Sequence, residues 1–233
     1  MSIWAISDPH FSFGVKDKPM DVFGPGWENH AQRFVDNWKN AVKENDVVLV
    51  SGDISWAMTL DEAKPDLEVF GSLPGEIVII KGNHEYWWKS VSVVRSVLPK
   101  NMHALQNDSI KIGKTVICGT RGWISAEPGK ELPDADKKIY DREVERLKLS
   151  LKHASNKMQD GDELICMMHF PPFNSKAEDG EFTRLMEEYG VKKVVYGHIH
   201  GKESRAIKEI TKNGIKYYLS SCDQINMQPI LID

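Results

Sequence analysis

Cysteine is scarce: Cys118, Cys166 and Cys222 are the only three among 233 residues. An odd number at wide spacing, each in an apolar stretch, excludes a disulfide scaffold and predicts small buried hydrophobes. No apolar run approaches the ~20 residues of a membrane-spanning helix, so no membrane partner is expected. Charge of one sign is not in excess either. Lys and Arg number 30 against 34 Asp and Glu, a net charge of −4, and no broad basic field favours a nucleic-acid backbone. The amino terminus carries no basic stretch followed by an apolar signal core, and a cytoplasmic location is the expectation. Internal repeats, low-complexity tracts and linkers are also missing. With 41% hydrophobic and 27% charged residues, the chain 1–233 reads as one large domain with a substantial core.

Short apolar runs rich in Val and Ile are present instead. Ile3 to Ser7, Val47 to Ser51, Ile77 to Lys81, Val116 to Gly119, Leu164 to Met168 and Val194 to Tyr196 have the length and flanking residues of buried strands. Between them lie helical stripes: Ala31, Phe34, Val35, Trp38 and Val42, and then Tyr140, Val144, Leu147, Leu151, Ala154 and Met158. Thr59 and Glu62 make a capping box before a helix expected over Asp61 to Ser72. Thr211-Lys212-Asn213-Gly214 marks a hairpin, Pro229 to Ile232 a final edge strand, and the carboxyl third reads as antiparallel. Phe11 to Asn29 and Arg121 to Pro133, with several Gly and Pro, read as surface loops.

Almost every expected strand is followed by a side chain that seeks metal. The segments are Asp8-Pro9-His10, Gly52-Asp53, Gly82-Asn83-His84-Glu85, His169, and Gly197-His198-Ile199-His200. Taken singly, each has a plain explanation as a helix cap, a turn or a strand end. Jointly they place carboxylates, imidazoles and an amide at the carboxyl ends of adjacent strands, where open α/β proteins bind ligands.

In that combination the segments resemble the calcineurin-like metallophosphoesterase superfamily, from Ile3 to His200. The resemblance implies an α/β fold, a four-layered α/β sandwich with two central mixed β-sheets flanked by helices. It implies Asp8, His10 and His200 as ligands of one metal, Asn83, His169 and His198 as ligands of another, and Asp53 as the bridging carboxylate. His84 becomes the catalytic residue outside the coordination shell. The cofactors implied are two transition-metal ions, Mn or Fe first, with Zn, Co or Ni compatible with mixed nitrogen and oxygen ligands. The reaction implied is hydrolysis of a phosphodiester or phosphomonoester by metal-bound hydroxide, with His84 assisting the leaving group. Ions roughly 3.5 to 4 Å apart bring the pKa of water from 15.7 toward about 7, roughly 12 kcal/mol of proton-release free energy. Glu85 departs from the Asp often found in the family, and is expected to orient a histidine or cap a following helix. Pro9 is a second local departure and leaves both neighbouring ligands in place.

Substrate choice is written less plainly. Asp53 is followed by Ile-Ser-Trp-Ala-Met and not by the Asp-Arg-Gly of protein phosphatases, which argues against a phosphoprotein substrate. Arg121 is the candidate replacement phosphate clamp. Trp27, Trp56, Trp87, Trp88 and Trp123 are expected near the rim, chiefly as loop packing, with Trp56 and Trp123 as candidates for stacking on a base or aryl group. The expected partner is a small phosphorylated, nucleotide-like substrate, with a diester ahead of a monoester. Nucleic acid is not favoured, and a homo-oligomer stays open. The competing reading is a noncatalytic metal-binding or protein-interaction scaffold of the same fold. His30, His103 and His153 are expected to be surface or packing residues.

Overall fold

A strand whose side chains are apolar at every position, rather than at alternate ones, needs cover on both faces. This chain supplies it with two sheets packed face to face and helices outside each. The computed structural model describes residues 1–201, 204 and 206–232. The first sheet has the order β11-β1-β2-β3-β4, from β1 (Ile3–Ala5), β2 (Val47–Val50), β3 (Glu76–Ile80), β4 (Met102–Leu105) and β11 (Ile230–Leu231). The second has the order β5-β6-β7-β8-β10-β9, from β5 (Ser109–Ile112), β6 (Thr115–Thr120), β7 (Glu163–Met168), β8 (Lys193–Tyr196), β9 (Glu209–Lys212) and β10 (Ile215–Leu219). Both are mixed. β1 to β4 run parallel with β11 antiparallel at one edge, and β6, β7, β8 and β10 run parallel with β5 and β9 antiparallel at the edges.

The alternation of strand side chains divides the interior into three cores. Val48, Val50, Ile77 and Ile79 pack on Phe34 and Trp38 of α1 (His30–Ala41) and on Leu67 and Phe70 of α2 (Leu60–Gly71). Val47, Leu49, Val78 and Ile80 turn the other way and meet Ile117, Ile165, Met167 and Val195 of the second sheet. Val116, Cys118, Leu164 and Cys166 face Leu147 and Leu151 of α4 (Asp134–Ser155) and Phe182 and Met186 of α5 (Glu181–Glu188). The expected four layers are therefore present. Cys118, Cys166 and Cys222 are free and fully buried, as small core residues. Among the described residues, no helix is long and apolar enough to cross a membrane.

Thr59 and Glu62 form the expected capping box, with Glu62 N donating to Thr59 Oγ1 at 3.4 Å and Thr59 N to Glu62 Oε2 at 3.0 Å. Asn213 and Gly214 both hold positive φ, 51° and 78°, which twists the β9–β10 hairpin in the sense the sheet needs. The carboxyl third, however, is not antiparallel throughout. β10 lies parallel to β8, with Lys216 opposite Lys193 and Leu219 opposite Tyr196. The hairpin turn dictates how β10 meets β9 and says nothing of its other neighbour. No helix begins at Gly-Asn-His-Glu either: residues 81–90 form turns and irregular chain, and α3 (Val91–Val97) starts only after Ser90, whose Oγ accepts from Val93 N.

Two-sided cover makes a direct prediction for β2. Leu49→Ala and Val48→Ala, adjacent but on opposite faces, should each lower the unfolding free energy, by about 2–5 kcal/mol for Leu49 and somewhat less for the smaller Val48. Denaturant titration of both variants checks this; a neutral Val48→Ala would mean that the helix layer does not seal that face.

Candidate metal centre

The parallel strands of both sheets deliver their following residues to one rim. After β1 and β2 the chain runs as two loops bonded to each other, with Asp8 N donating to Gly52 O at 3.1 Å, His10 N to Asp53 O at 3.1 Å and Phe11 N to Ile54 O at 2.9 Å. Asp8, His10, Asp53 and His198 hold φ of 57°, 47°, 52° and 72°. Each such non-glycine residue costs on the order of 1–3 kcal/mol, and four of the eleven in the chain's described residues fall on this rim. Gly52, at φ 93°, adds a contact no other residue permits: a Cβ there would stand 2.6 Å from Gly82 N and 3.0 Å from His169 Nδ1.

On this rim the structure brings together all the side chains singled out as ligands. Asp8, His10 and His200 form one group and Asp53, His169 and His198 another, the potential ligand atoms of each lying within 4.8 Å of one another. Asn83 joins the second, its Oδ1 2.6 Å from His169 Nε2 and 3.0 Å from His198 Nδ1. Asp53 Oδ2 stands between the groups, 3.6 Å from His10 Nε2 and 3.5 Å from His169 Nε2.

The hydrogen bonds fit a cation. His169 Nδ1 lies 2.8 Å from the Ser51 carbonyl, an acceptor, so Nδ1 carries a proton and a neutral ring presents its Nε2 lone pair to the site. That lone pair faces the Asn83 carbonyl oxygen at 2.6 Å, two acceptors with no proton between them. His200 Nδ1 is 2.8 Å from Asp223 Oδ1, while its Nε2 is buried, without a hydrogen-bond partner and 3.7 Å from Asp8 Oδ1. Mixed imidazole, carboxylate and amide donors suit transition metals better than an all-oxygen set would.

Burial and charge set the protonation states. Burial pushes His10 down to about 4. Burial is also the first cause that brings His198 down to about 4. Burial also works against a charged His200, but Asp223 and Asp8 outweigh it and raise its pKa to about 10. Burial would raise Asp8, yet His200, 3.7 Å away, and the other imidazoles beside it hold it well below the carboxylate range. Glu85 neither caps a helix nor orients a histidine. Fully buried, it accepts from Asp53 N at 3.0 Å, Gly82 N at 2.5 Å and Ile54 N at 2.5 Å, tying the loops after β2 and β3 together. Burial and the Asp53 carboxylate push it up to about 8 against the pull of those three donors.

His84 lies beside the ligand groups. Its N–H donates to Asp53 Oδ1 at 2.9 Å, and its ring meets Trp56 edge-on at 4.6 Å and His10 at 5.4 Å. Its Nδ1 is buried with no partner. Trp56 stacks on His10 at 4.7 Å, and Trp27 packs against His10 and His200. Trp87 and Trp88 are fully buried in the core under the first sheet. Trp123 is one ring removed: it packs on Phe170, which in turn lies 4.0 Å from His198, it meets the Arg121 guanidinium at 4.8 Å, and its Nε1 donates to Asp136 Oδ1 at 3.0 Å. Arg121 also pairs with the buried Glu143 at 3.3 Å. His103 bonds Glu76 and His153 bonds Ser109, both away from the rim. His30 packs on Trp27 and Phe11.

Asp223, the partner of His200, was not singled out in the sequence. It lies four residues beyond β10, and only the parallel pairing of β10 with β8 reveals that this strand also ends at the rim.

A model of the calcineurin-like phosphoesterase family matches residues 1–202. An uncharacterized protein of Methanocaldococcus jannaschii is 32% identical over 92 residues, 40% of this chain and 51% of that relative, so the match spans about half of the relative's length. Phosphopantetheinyl hydrolase of Mycobacterium tuberculosis superposes with a TM-score of 0.59 at 13% identity, over 100% of this chain and 96% of the other. A Thermus thermophilus protein gives 0.58 at 11% identity over 99% and 97% of the two chains. A protein of unknown function from Aquifex aeolicus gives 0.52 at 15% over 99% and 95%. At these identities the structural likeness shows the fold alone.

His200 gives the pH prediction. A folded-state pKa of about 10 against an ordinary 6.5 stabilises the fold in full below pH 6.5, and the stabilisation is lost as pH rises toward 10. In metal-free protein, wild type should therefore exceed Asp223→Asn in unfolding free energy most at low pH, with the gap closing between pH 6.5 and 10. Denaturant melts across that range measure it, and a gap independent of pH would exclude a charged His200. Separately, Gly52→Ala should cost roughly 2 kcal/mol or more, since it strains φ and collides with Gly82.

Proposed function

The chain belongs to the calcineurin-like phosphoesterase family, and on that premise we propose that it is a binuclear metal-dependent phosphoesterase. The observation that carries this reading is the convergence of two Asp/His groups on one rim, with Asp53 Oδ2 between them. Asp8, His10 and His200 would hold one ion, Asn83, His169 and His198 the other, and Asp53 both. Bound there, two transition-metal cations, Mn or Fe first and Zn, Co or Ni next, supply Lewis acidity that withdraws charge from a phosphoryl oxygen and acidifies water at neutral pH.

The chain's own residues do the rest. Asp8 and Asp53 bring the negative charge that two cations require, and Asn83 adds an oxygen without further charge. The Ser51 carbonyl and Asp223 fix the ring orientations of His169 and His200, which is the task of groups behind a ligand shell. Trp56, stacked on His10, keeps that ring in plane. His84 stands next to Asp53, its main-chain N–H bonded to that carboxylate, and its ring would give a proton to the leaving oxygen, a role worth typically 10²–10⁴-fold in rate. The substrate is a small phosphodiester or phosphomonoester, nucleotide-like, with the diester preferred. Trp56 and Trp123 spend ring contacts on His10, Phe170 and Arg121, which supports a positioning role for them ahead of stacking on substrate.

Metal content and turnover of wild type, Asp53→Asn and His84→Ala, measured together on phosphomonoesters, phosphodiesters and cyclic nucleotides, test the reading. His84→Ala should keep its metal and lose about 10²–10⁴-fold in kcat, and Asp53→Asn should lose metal as well as activity. A wild-type protein that takes up no metal and hydrolyses no ester would be the noncatalytic scaffold instead.

A further inference from the structure

A cavity of about 270 Å³ opens where β3, β4 and β6 end against α4. Its wall carries five cationic side chains, Lys81, Lys89, Arg121, Arg142 and Arg146, and one acid, Glu143. Glu143 is completely buried and already engaged: Oε1 accepts from Arg146 at 2.6 Å and Arg121 at 3.3 Å, and Oε2 accepts the Thr120 hydroxyl at 2.7 Å. Neutralising one carboxylate needs no more than those two guanidiniums. Lys81 donates to a main-chain carbonyl, Trp88 O at 2.8 Å, and among the described residues neither it nor Lys89 nor Arg142 has an ion-pair partner. Arg121 is four-fifths covered, and its Nε is buried with no hydrogen-bond partner. Gathering like charges round a concave, partly desolvated space is unfavourable unless an anion enters it.

The position of the cavity says which anion. Lys81 stands two residues before Asn83, and the Arg121 carbonyl accepts from His169 N at 3.1 Å, so both walls run directly into the metal-ligand groups. We infer that this cavity binds a second phosphate of the substrate, so that the preferred substrate is a phosphoester carrying a further phosphoryl group at some distance from the scissile one. The inference rests on the phosphoesterase reading for the word substrate. Guanidinium and ammonium groups around a phosphate give charge-assisted and bidentate bonds, which suit a dianion better than a carboxylate or a neutral sugar. An apolar or singly charged diester would leave the excess positive charge unmet.

The test uses Lys89→Ala/Arg142→Ala, two exposed positions outside the ligand groups, with Lys148→Ala/Lys152→Ala on exposed positions of α4 as a control of equal charge. Pyrophosphate binding to protein stripped of metal over a chelating resin, measured by calorimetry, should be roughly tenfold or more weaker in the cavity variant and unchanged in the control. In metal-loaded protein, thymidine 5′-p-nitrophenyl phosphate with and without a 3′-phosphate forms a matched pair. Wild type should favour the 3′-phosphorylated ester by about tenfold through KM, and the cavity variant should lose that preference while hydrolysing the simpler ester as wild type does. Pyrophosphate binding that is absent, or equal in all three proteins, overturns the inference, as does a wild-type enzyme indifferent to the 3′-phosphate. If the loaded protein hydrolyses neither ester, the phosphoesterase reading fails, and the anion site then stands or falls on pyrophosphate alone.

Discussion

Three buried carboxyl groups, Asp8, Asp53 and Glu85, share one rim, and keeping them there is the constraint to which much of the surrounding structure answers. A carboxylate removed from water must find donors, and most of those here are main-chain N–H groups. His198 N reaches both oxygens of Asp8, at 3.1 and 3.2 Å, His84 N reaches Asp53, and three N–H groups converge on Glu85. Pointing so many amides inward is what the left-handed φ values at Asp8, His10, Asp53 and His198 accompany. The strain and the hydrogen bonds are two sides of one arrangement, and the cost is covered by the three apolar cores beneath.

That arrangement lies on the seam between the sheets. Asp8, Asp53 and Asn83 follow strands of the first sheet, while His169, His198, His200 and Asp223 follow strands of the second. Neither sheet holds a complete set. The relative placement of the two Asp/His groups is therefore governed by the packing of Leu49, Val78 and Ile80 on Ile117, Ile165 and Val195, well below the rim. Glu85 works within one sheet, locking the β2 and β3 loops, and the Gly52–Gly82 approach lets those loops close to contact.

Much of this was legible in the sequence because buried parallel strands and their ligand-bearing ends are local patterns. Ile77 to Lys81 followed by Gly-Asn-His-Glu announces a strand and its outlet within nine residues. β4 and β5 were not anticipated: Met-His-Ala-Leu and Ser-Ile-Lys-Ile are short and mix polar with apolar residues, and their pairing with β3 and β6 supplies what their propensity does not. Asp223 escaped for a different reason, since its relevance depends on which strand lies beside β10, a fact of topology. The bonds of Glu85 were hidden likewise, because two of the three backbone amides it serves belong to another loop 31 and 32 residues away.

The early and late parts of the chain meet at this rim. Ser7 N bonds Ser220 O, the Cys222 thiol donates to the Asp8 carbonyl, and Asp223 steadies His200. During synthesis, then, Asp8 leaves the ribosome more than two hundred residues ahead of Ser220, Cys222 and Asp223. Assembly of the centre waits for β10: a nascent chain halted before it would already carry every side chain that resembles a ligand and still lack the frame that gathers them.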